Sequence, residues 1–318
     1  MGHLVDPAGR LACPRMADLE DLLVKTSRTF ALSIPQLEGG TRQQVTLGYL
    51  LLRIADTLED AAVWSGEQRV EALFRFADLL NDSDEAADGA ADAAVESWLD
   101  EPPSHHEGYL ELLEATGEVL SAYEALDPAP RSVIGRHVRR TTIGMAYIVR
   151  RSDRDGELRL AGIPELRDYC YVVAGIVGEM LTELFLLGAA LEPVAEALRR
   201  RAAIFGEALQ LVNILKDSAA DADEGRTFIP NGRERTLAFK LARADLLVAA
   251  EYVDLLQSAG APRGYLGFTG LPVRLARATL DRVEEQGPGS KLTRPEVAVL
   301  VSALHADLDA GRSAAGTV

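Results

Sequence analysis

Tyr49-Leu50-Leu51-Leu52-Arg53-Ile54-Ala55-Asp56-Thr57-Leu58-Glu59-Asp60 is the stretch on which the fold turns. Its polar residues Tyr49, Arg53, Asp56 and Asp60 recur at helical spacing and so lie on one face of a helix. Almost everything else around them is apolar, from Val45 and Leu47 to Leu58. A surface helix has a broad polar face and one apolar stripe. Here the proportions are inverted, which predicts a helix buried nearly all round with one narrow polar line. The pattern occurs twice. Gln210, Asn213, Asp217 and Asp221 form the second line, among Ile204, Phe205, Ala208, Leu209, Leu211, Val212, Ile214 and Leu215. Acidic pairs four apart are weak evidence alone, because 49 acidic residues in 318 give about seven such pairs by chance. The apolar flanks are what set these two apart.

A charged line on a buried helix has to face a polar cavity, since unpaired charge in a dry core is too costly. Two lines on one cavity would gather at least four carboxylates and require a cation. Oxygen-only donors favour Mg²⁺ or a similar hard ion, which shares its coordination with water and phosphate oxygens. The implied substrate is a phosphate or diphosphate. Two unrelated solvated acid pairs are the competing reading.

The bulk properties narrow the field. An apolar fraction of 47% is ample for a sizeable core, and a net charge of −16 argues against nucleic acid as a partner. Cys13 and Cys170 are the only cysteines, which suggests a reducing, cytoplasmic setting without disulfides. The five histidines form no zinc-type spacing with them. Residues 1–16 lack the apolar core of a secretory signal, and no terminal membrane anchor is expected. Residues 169–191 are long and apolar enough to resemble a membrane span, but Glu179 and Glu183 fall mid-segment. A helix inside a bundle is the expectation.

Helical periodicity dominates and strand-like alternation is sustained nowhere. Helices are expected near 17–25, 42–61, 67–81, 107–126, 130–151, 164–190, 194–222, 236–258, 271–286 and 294–311, with stops at Gly39-Gly40, Asp127-Pro128, Gly162, Gly225 with Pro230, and Gly287-Pro288-Gly289. The Ala/Asp-rich segment 81–97 reads as a solvated connection or a loose helix. The expected organisation is a tail over 1–16, one all-α domain over 17–311, and a polar tail over 312–318. Gly175 and Gly178 stand inside a strong helical pattern, where each costs about 1 kcal/mol relative to Ala. Close helix packing and room for a long apolar ligand are both open explanations. Arg226, just past the second acidic pair, is placed to clamp a diphosphate or is a plain surface arginine.

Five collinear motifs resemble the squalene and phytoene synthases, head-to-head prenyl transferases. They are Ser27-Arg28-Thr29-Phe30; Tyr49 through Asp60; Arg139-Arg140 through Gly144-Met145; Tyr169-Cys170-Tyr171 through Gly178; and Gln210 through Asp217, continuing to Gly225-Arg226 and Pro230. The resemblance implies a single-domain isoprenoid-synthase helical bundle around a deep central pocket. It also implies a two-step reaction in which one allylic diphosphate ionises and alkylates a second, giving a cyclopropylcarbinyl diphosphate that ionises again and rearranges. It assigns Mg²⁺, or Mn²⁺ in its place, to Asp56, Glu59, Asp60, Asp217 and Asp221. Tyr169 is implied to assist proton removal or steady the cation. Phe30, Tyr49, Arg53, Val173, Gly178, Gln210, Asn213 and Arg226 are the implied substrate contacts.

The block from Gly264 to Leu304 looks more like squalene synthases, which reduce the product with NADPH, than phytoene synthases, which lose a proton. Arg28, Arg53, Lys216 and Lys291 fall on the implied cofactor-phosphate positions. Lys216 replaces the usual arginine, removing bidentate phosphate binding, and Thr293 stands where a second basic residue is expected. The implied substrate is farnesyl diphosphate, with transient membrane contact for the product. A phytoene or dehydrosqualene synthase without NADPH, and a non-catalytic prenyl-lipid-binding relative, are the alternatives.

Overall fold

The structure, a computed structural model, describes residues 16–81, 89–152 and 157–316. Those residues are overwhelmingly helical, as expected. Strand is confined, among the described residues, to two residues of β1 (Leu158–Arg159) paired in parallel with β2 (Arg226–Thr227). The chain divides into two compact units, one from the described parts of Met1–Ala31 and Gly39–Arg150, the other from those of Leu32–Glu38 and Arg151–Val318.

The first unit contains α1 (Met16–Thr26), with a short α2 (Phe30–Ser33) beginning at its edge. Then come α3 (Gly39–Glu59), α4 (Gly66–Leu79), α5 (Ala90–Asp100), α6 (Glu107–Glu114), α7 (Thr116–Glu124) and α8 (Pro128–Arg151). Helix α3 is the apolar rod read from sequence, with Leu47, Leu50, Leu51, Ile54, Ala55 and Leu58 fully buried. Helix α4 starts at a capping box in which Ser65 and Gln68 satisfy each other's backbone N–H. Helix α5 falls in the Ala/Asp-rich segment and is regular. Buried Ala94 and Trp98 dock it, the Trp98 ring lying 6.3 Å from that of Phe76. Residues 82–88 of that segment, and the expected tail up to residue 15, lie outside the described residues.

In the second unit, α9 (Ile163–Cys170) runs through a five-residue π-helical turn (Tyr171–Gly175) into α10 (Ile176–Gly188). It continues with α11 (Ala195–Asp223), α12 (Gly232–Ser258), α13 (Arg263–Gln286) and α14 (Arg294–Asp309). Helix α11 is central and packs against α10, α12 and α13. The helical run Ile163–Gly188 is long and apolar enough to cross a membrane, and half of its most apolar window is buried within the chain.

Two expectations need correction here. Helix α13 begins at Arg263, eight residues before the start expected at 271, and runs through Gly264, Gly267, Gly270 and Pro272. The glycines are contact points: a side chain at Gly264 would strike the Gln36 carbonyl oxygen at 2.4 Å, and one at Gly270 that of Ala314 at 2.6 Å. The segment after α14 is packed through residue 316, with Ala314 and Ala315 buried. Buried Arg274 donates to the carbonyls of Ala314 (2.7 Å) and Ser313 (2.9 Å) and pairs with Asp307 (2.6 Å). Backbone carbonyls that would otherwise be buried without donors thereby find them.

Candidate active site

The polar line on α3 is a continuous hydrogen-bonded chain. Tyr49, 8% exposed, donates its hydroxyl hydrogen to the Thr26 carbonyl at 2.9 Å and accepts from Arg53 Nε at 3.3 Å. Arg53 then pairs through its terminal nitrogen with Asp56 at 3.1 Å. The guanidinium also lies 5.7 Å from the ring centre of Tyr49 and 5.4 Å from that of Tyr109. Burial works to lower its pKa, but the Asp56 charge and the two tyrosines outweigh this and hold it above the usual arginine range. Arg53 is therefore a permanent cation between two aromatic faces. Phe30 joins the group with its ring 5.3 Å from Tyr49, while Arg28 is exposed in the bend before it. Tyr109 is a member that sequence reading missed, because it reaches α3 from α6, about fifty positions on.

The three acids of this motif are not equivalent. Asp56 is partly exposed and Asp60 is exposed just beyond the last turn of α3, whereas Glu59 is buried. An Asp56–Asp60 pair on the accessible face is what helical spacing dictates.

On α11, Gln210, Asn213, Lys216, Asp217 and Asp221 follow one another on the less buried side. Lys216 pairs with Asp217 at 3.1 Å and donates to Asn213 Oδ1 at 3.3 Å. Arg226, held on β2, lies 3.7 Å from Asp221 and 2.6 Å from Glu224. Each aspartate of the second motif thus has a basic residue beside it, as Asp56 has Arg53. From α12, Arg235 donates to Ser218 Oγ at 3.1 Å and stacks over Phe239 at 5.2 Å. It is a further basic group at this motif, visible only once α12 is folded back.

Tyr169 is buried, with its ring 4.7 Å from Phe228. Val173 is half-buried in the π-helical turn. Gly178 lies at a crossing of α10 with α11, where a side chain would stand 2.0 Å from the Ala202 carbonyl oxygen. The packing explanation of that glycine is the one the geometry favours. Lys291 is exposed, and the Gly289 N–H donates to the Lys216 carbonyl at 2.7 Å, which brings the loop carrying Lys291 beside Lys216. Thr293 is the N-cap of α14 in a capping box with Glu296. That role explains why a basic residue is absent there.

No group of three or more His, Cys, Asp or Glu side chains stands close enough together to hold a metal ion among the described residues. Each motif by itself therefore offers at most a pair of carboxylates. Oxygen donors with open positions suit Mg²⁺, which keeps water and phosphate ligands.

The squalene/phytoene synthase family matches residues 23–255 of this sequence, most of its length. The chain belongs to that family. Similar members include the squalene synthases of Mycosarcoma maydis (31% identical, covering 68% of this chain and 35% of the relative) and Schizosaccharomyces pombe (30%, covering 66% and 43%). The human squalene synthase is 31% identical over 65% of this chain and 45% of its own. The chain spans less than half the length of these curated relatives. Among solved structures, TcSQS with the ligand E5700 superposes with a TM-score of 0.70 at 26% identity, covering 93% of this chain and 88% of that one. A dehydrosqualene synthase in complex with a ligand, at 19% identity and a TM-score of 0.50, shares the fold. The all-α fold expected from the motifs is the one this family member has. Four motifs from Ser27 to Pro230 fall within the matched range together with the Arg139–Met145 stretch, and Lys291 lies outside it.

Proposed function

We propose that the chain is a Mg²⁺-dependent prenyl transferase that condenses two farnesyl diphosphates head to head through presqualene diphosphate and reduces the product with NADPH to squalene. One observation carries the reading: the hydrogen-bonded line Tyr49–Arg53–Asp56 sets a carboxylate, a permanent cation and aromatic faces side by side. Departure of a diphosphate from an allylic carbon calls for that combination, because negative charge grows on the leaving group while positive charge remains on the hydrocarbon. The squalene synthases among its relatives support the same choice.

Asp56, Glu59 and Asp60 of the first motif and Asp217 and Asp221 of the second would hold Mg²⁺. When bound, the ion neutralises the diphosphate and stabilises its departure. Arg53 and Arg226 bind diphosphate oxygens, and Gln210 and Asn213 orient them. Phe30 and Tyr49 present ring faces to the carbocation. Val173 lines the path of the prenyl chain, and Gly178 holds α10 close against α11 beside it. Tyr169, its ring tilted against Phe228, holds its hydroxyl where a proton leaves or positive charge passes. Arg28, Arg53, Lys216 and Lys291 would hold the phosphates of NADPH. The reading places the protein in the cytoplasm, with transient contact with the inner face of a membrane to deliver an apolar product.

A second reading, a phytoene- or dehydrosqualene-type synthase working without NADPH, is favoured by one observation. Lys216 is engaged by Asp217 and Asn213, and Thr293 is engaged in capping α14, which leaves fewer groups for cofactor phosphates. Incubation with C15 or C20 diphosphate and Mg²⁺, with and without NADPH, decides between them. The squalene reading expects a C30 hydrocarbon only when NADPH is added. A desaturated C30 or C40 product at full rate without it selects the second reading. Tight binding without any product selects a non-catalytic prenyl-lipid-binding protein.

A further inference from the structure

Away from both acidic lines, the second unit buries two more carboxyl groups, Glu207 on α11 and Asp245 on α12, each 5% exposed. Arg167 on α9 reaches Glu207 Oε2 at 3.3 Å and acts electrostatically on Asp245 as well. One Asp245 oxygen, Oδ2, is shielded from solvent and has no hydrogen-bond partner. A single, partly exposed guanidinium cannot neutralise two buried carboxylates. An ionised carboxylate with an oxygen lacking any donor is among the most costly groups a core can hold. A proton on Asp245 removes that cost and leaves Arg167 and Glu207 balanced.

The surroundings point the same way. Burial pushes Glu207 above the usual carboxylate range; Arg167 opposes this, while Asp245, Asp168 on α9 and Glu179 on α10 add to it. Burial likewise pushes Asp245 up against the pull of Arg167. The Cys170 thiol, wholly buried at the end of α9, is raised by burial and then by Glu207 and Asp245. The π-helical turn closes directly on this cluster: a side chain at Gly175 would lie 2.8 Å from the Tyr171 ring and 3.3 Å from Glu207 Oε1.

We propose that Arg167, Glu207 and Asp245 form a proton-linked lock that holds α9 and the π-helical turn, and with them Tyr169, against α11 and α12, with Asp245 as a neutral acid. These are positioning residues. Their bearing on turnover rests on the proposed function, whereas the lock itself does not. The direction of its pH dependence follows from the carboxyl groups being raised in the folded state. Their contribution to stability is complete below the unfolded carboxylate range and is lost as pH rises through the folded values. The segment therefore loosens toward alkaline pH.

Cys170 reports on the lock without any need for activity, and Cys13 is the only other cysteine. In a Cys13→Ser protein, maleimide labelling of Cys170 is measured from about pH 6 to about pH 9, each rate divided by that of the urea-unfolded chain at the same pH. The normalised rate should rise at least about tenfold across that range. With Asp245→Asn, which imitates the neutral acid, it should stay within about twofold. Arg167→Ala, leaving Glu207 buried without its partner, should label about tenfold faster at every pH. A flat profile in the Cys13→Ser protein overturns the lock, as does an Asp245→Asn protein more open than its parent at the acid end. If Asp245→Asn does not fold, the parent profile decides. Product formation on the same samples tests the proposed function separately.

Discussion

Gly178→Ala adds one methyl group at a place where two helices meet backbone to backbone. Its Cβ would sit 2.0 Å from the Ala202 carbonyl oxygen, where ordinary contact begins at 3.4 Å. The obstructing atom belongs to the α11 backbone and cannot rotate away. Helices α10 and α11 would have to part by roughly 1.4 Å, which places the change among overpacking substitutions costing about 1–3 kcal/mol. The crossing is also reciprocal, since Gly206 faces the Ala174 carbonyl oxygen at the same 2.0 Å. Parting the helices at Gly178 loosens both contacts. Against this stands the better helix propensity of Ala, about 1 kcal/mol in favour. The net expectation is a loss of up to about 2 kcal/mol. Urea denaturation should show it as a lower midpoint with an unchanged slope. Adding Gly206→Ala should cost less than the sum of the two single changes, because the helices are already apart. A raised midpoint for Gly178→Ala would refute the reasoning: the methyl would then have found space, and the glycine would be serving as room for a ligand.

Asp56→Ala and Asp217→Ala should each abolish turnover while circular dichroism and thermal melts stay close to wild type. Their ion pairs with Arg53 and Lys216 are partly exposed and worth at most about 1 kcal/mol; near-normal activity at saturating Mg²⁺ would remove them as metal ligands. Tyr169→Phe keeps the ring against Phe228 and deletes only the hydroxyl, so the rate should fall about a hundredfold with substrate KM little changed. An effect on melting temperature alone would return Tyr169 to a packing role. Lys291→Ala should raise the KM for NADPH several-fold and leave the first condensation unchanged, because Lys291 is exposed and outside both acidic motifs. An unaltered NADPH dependence would exclude it from the cofactor site.

The helices and their polar lines were legible because they depend on spacing along the chain. Residues 3 and 4 apart share a helix face wherever the helix lies, so Tyr49, Arg53 and Asp56 had to stand together, as had Lys216, Asp217 and Asn213. What the chain does on returning to itself was not legible. Helix α5 lacked a strong apolar stripe, and its place depends on Trp98 meeting Phe76. The helix expected from 271 leaves out Gly264 and Gly270, yet both are contact points inside a continuous helix, because a missing side chain signals flexibility or close approach and only a partner tells which. Thr293 looked like a departure from a basic site until its capping of α14 was seen. Most plainly, nothing in the sequence joins Arg167, Glu207 and Asp245. They are far apart in the chain, and the burial that pushes Glu207 and Asp245 above the usual carboxylate range exists only once α9, α11 and α12 have packed.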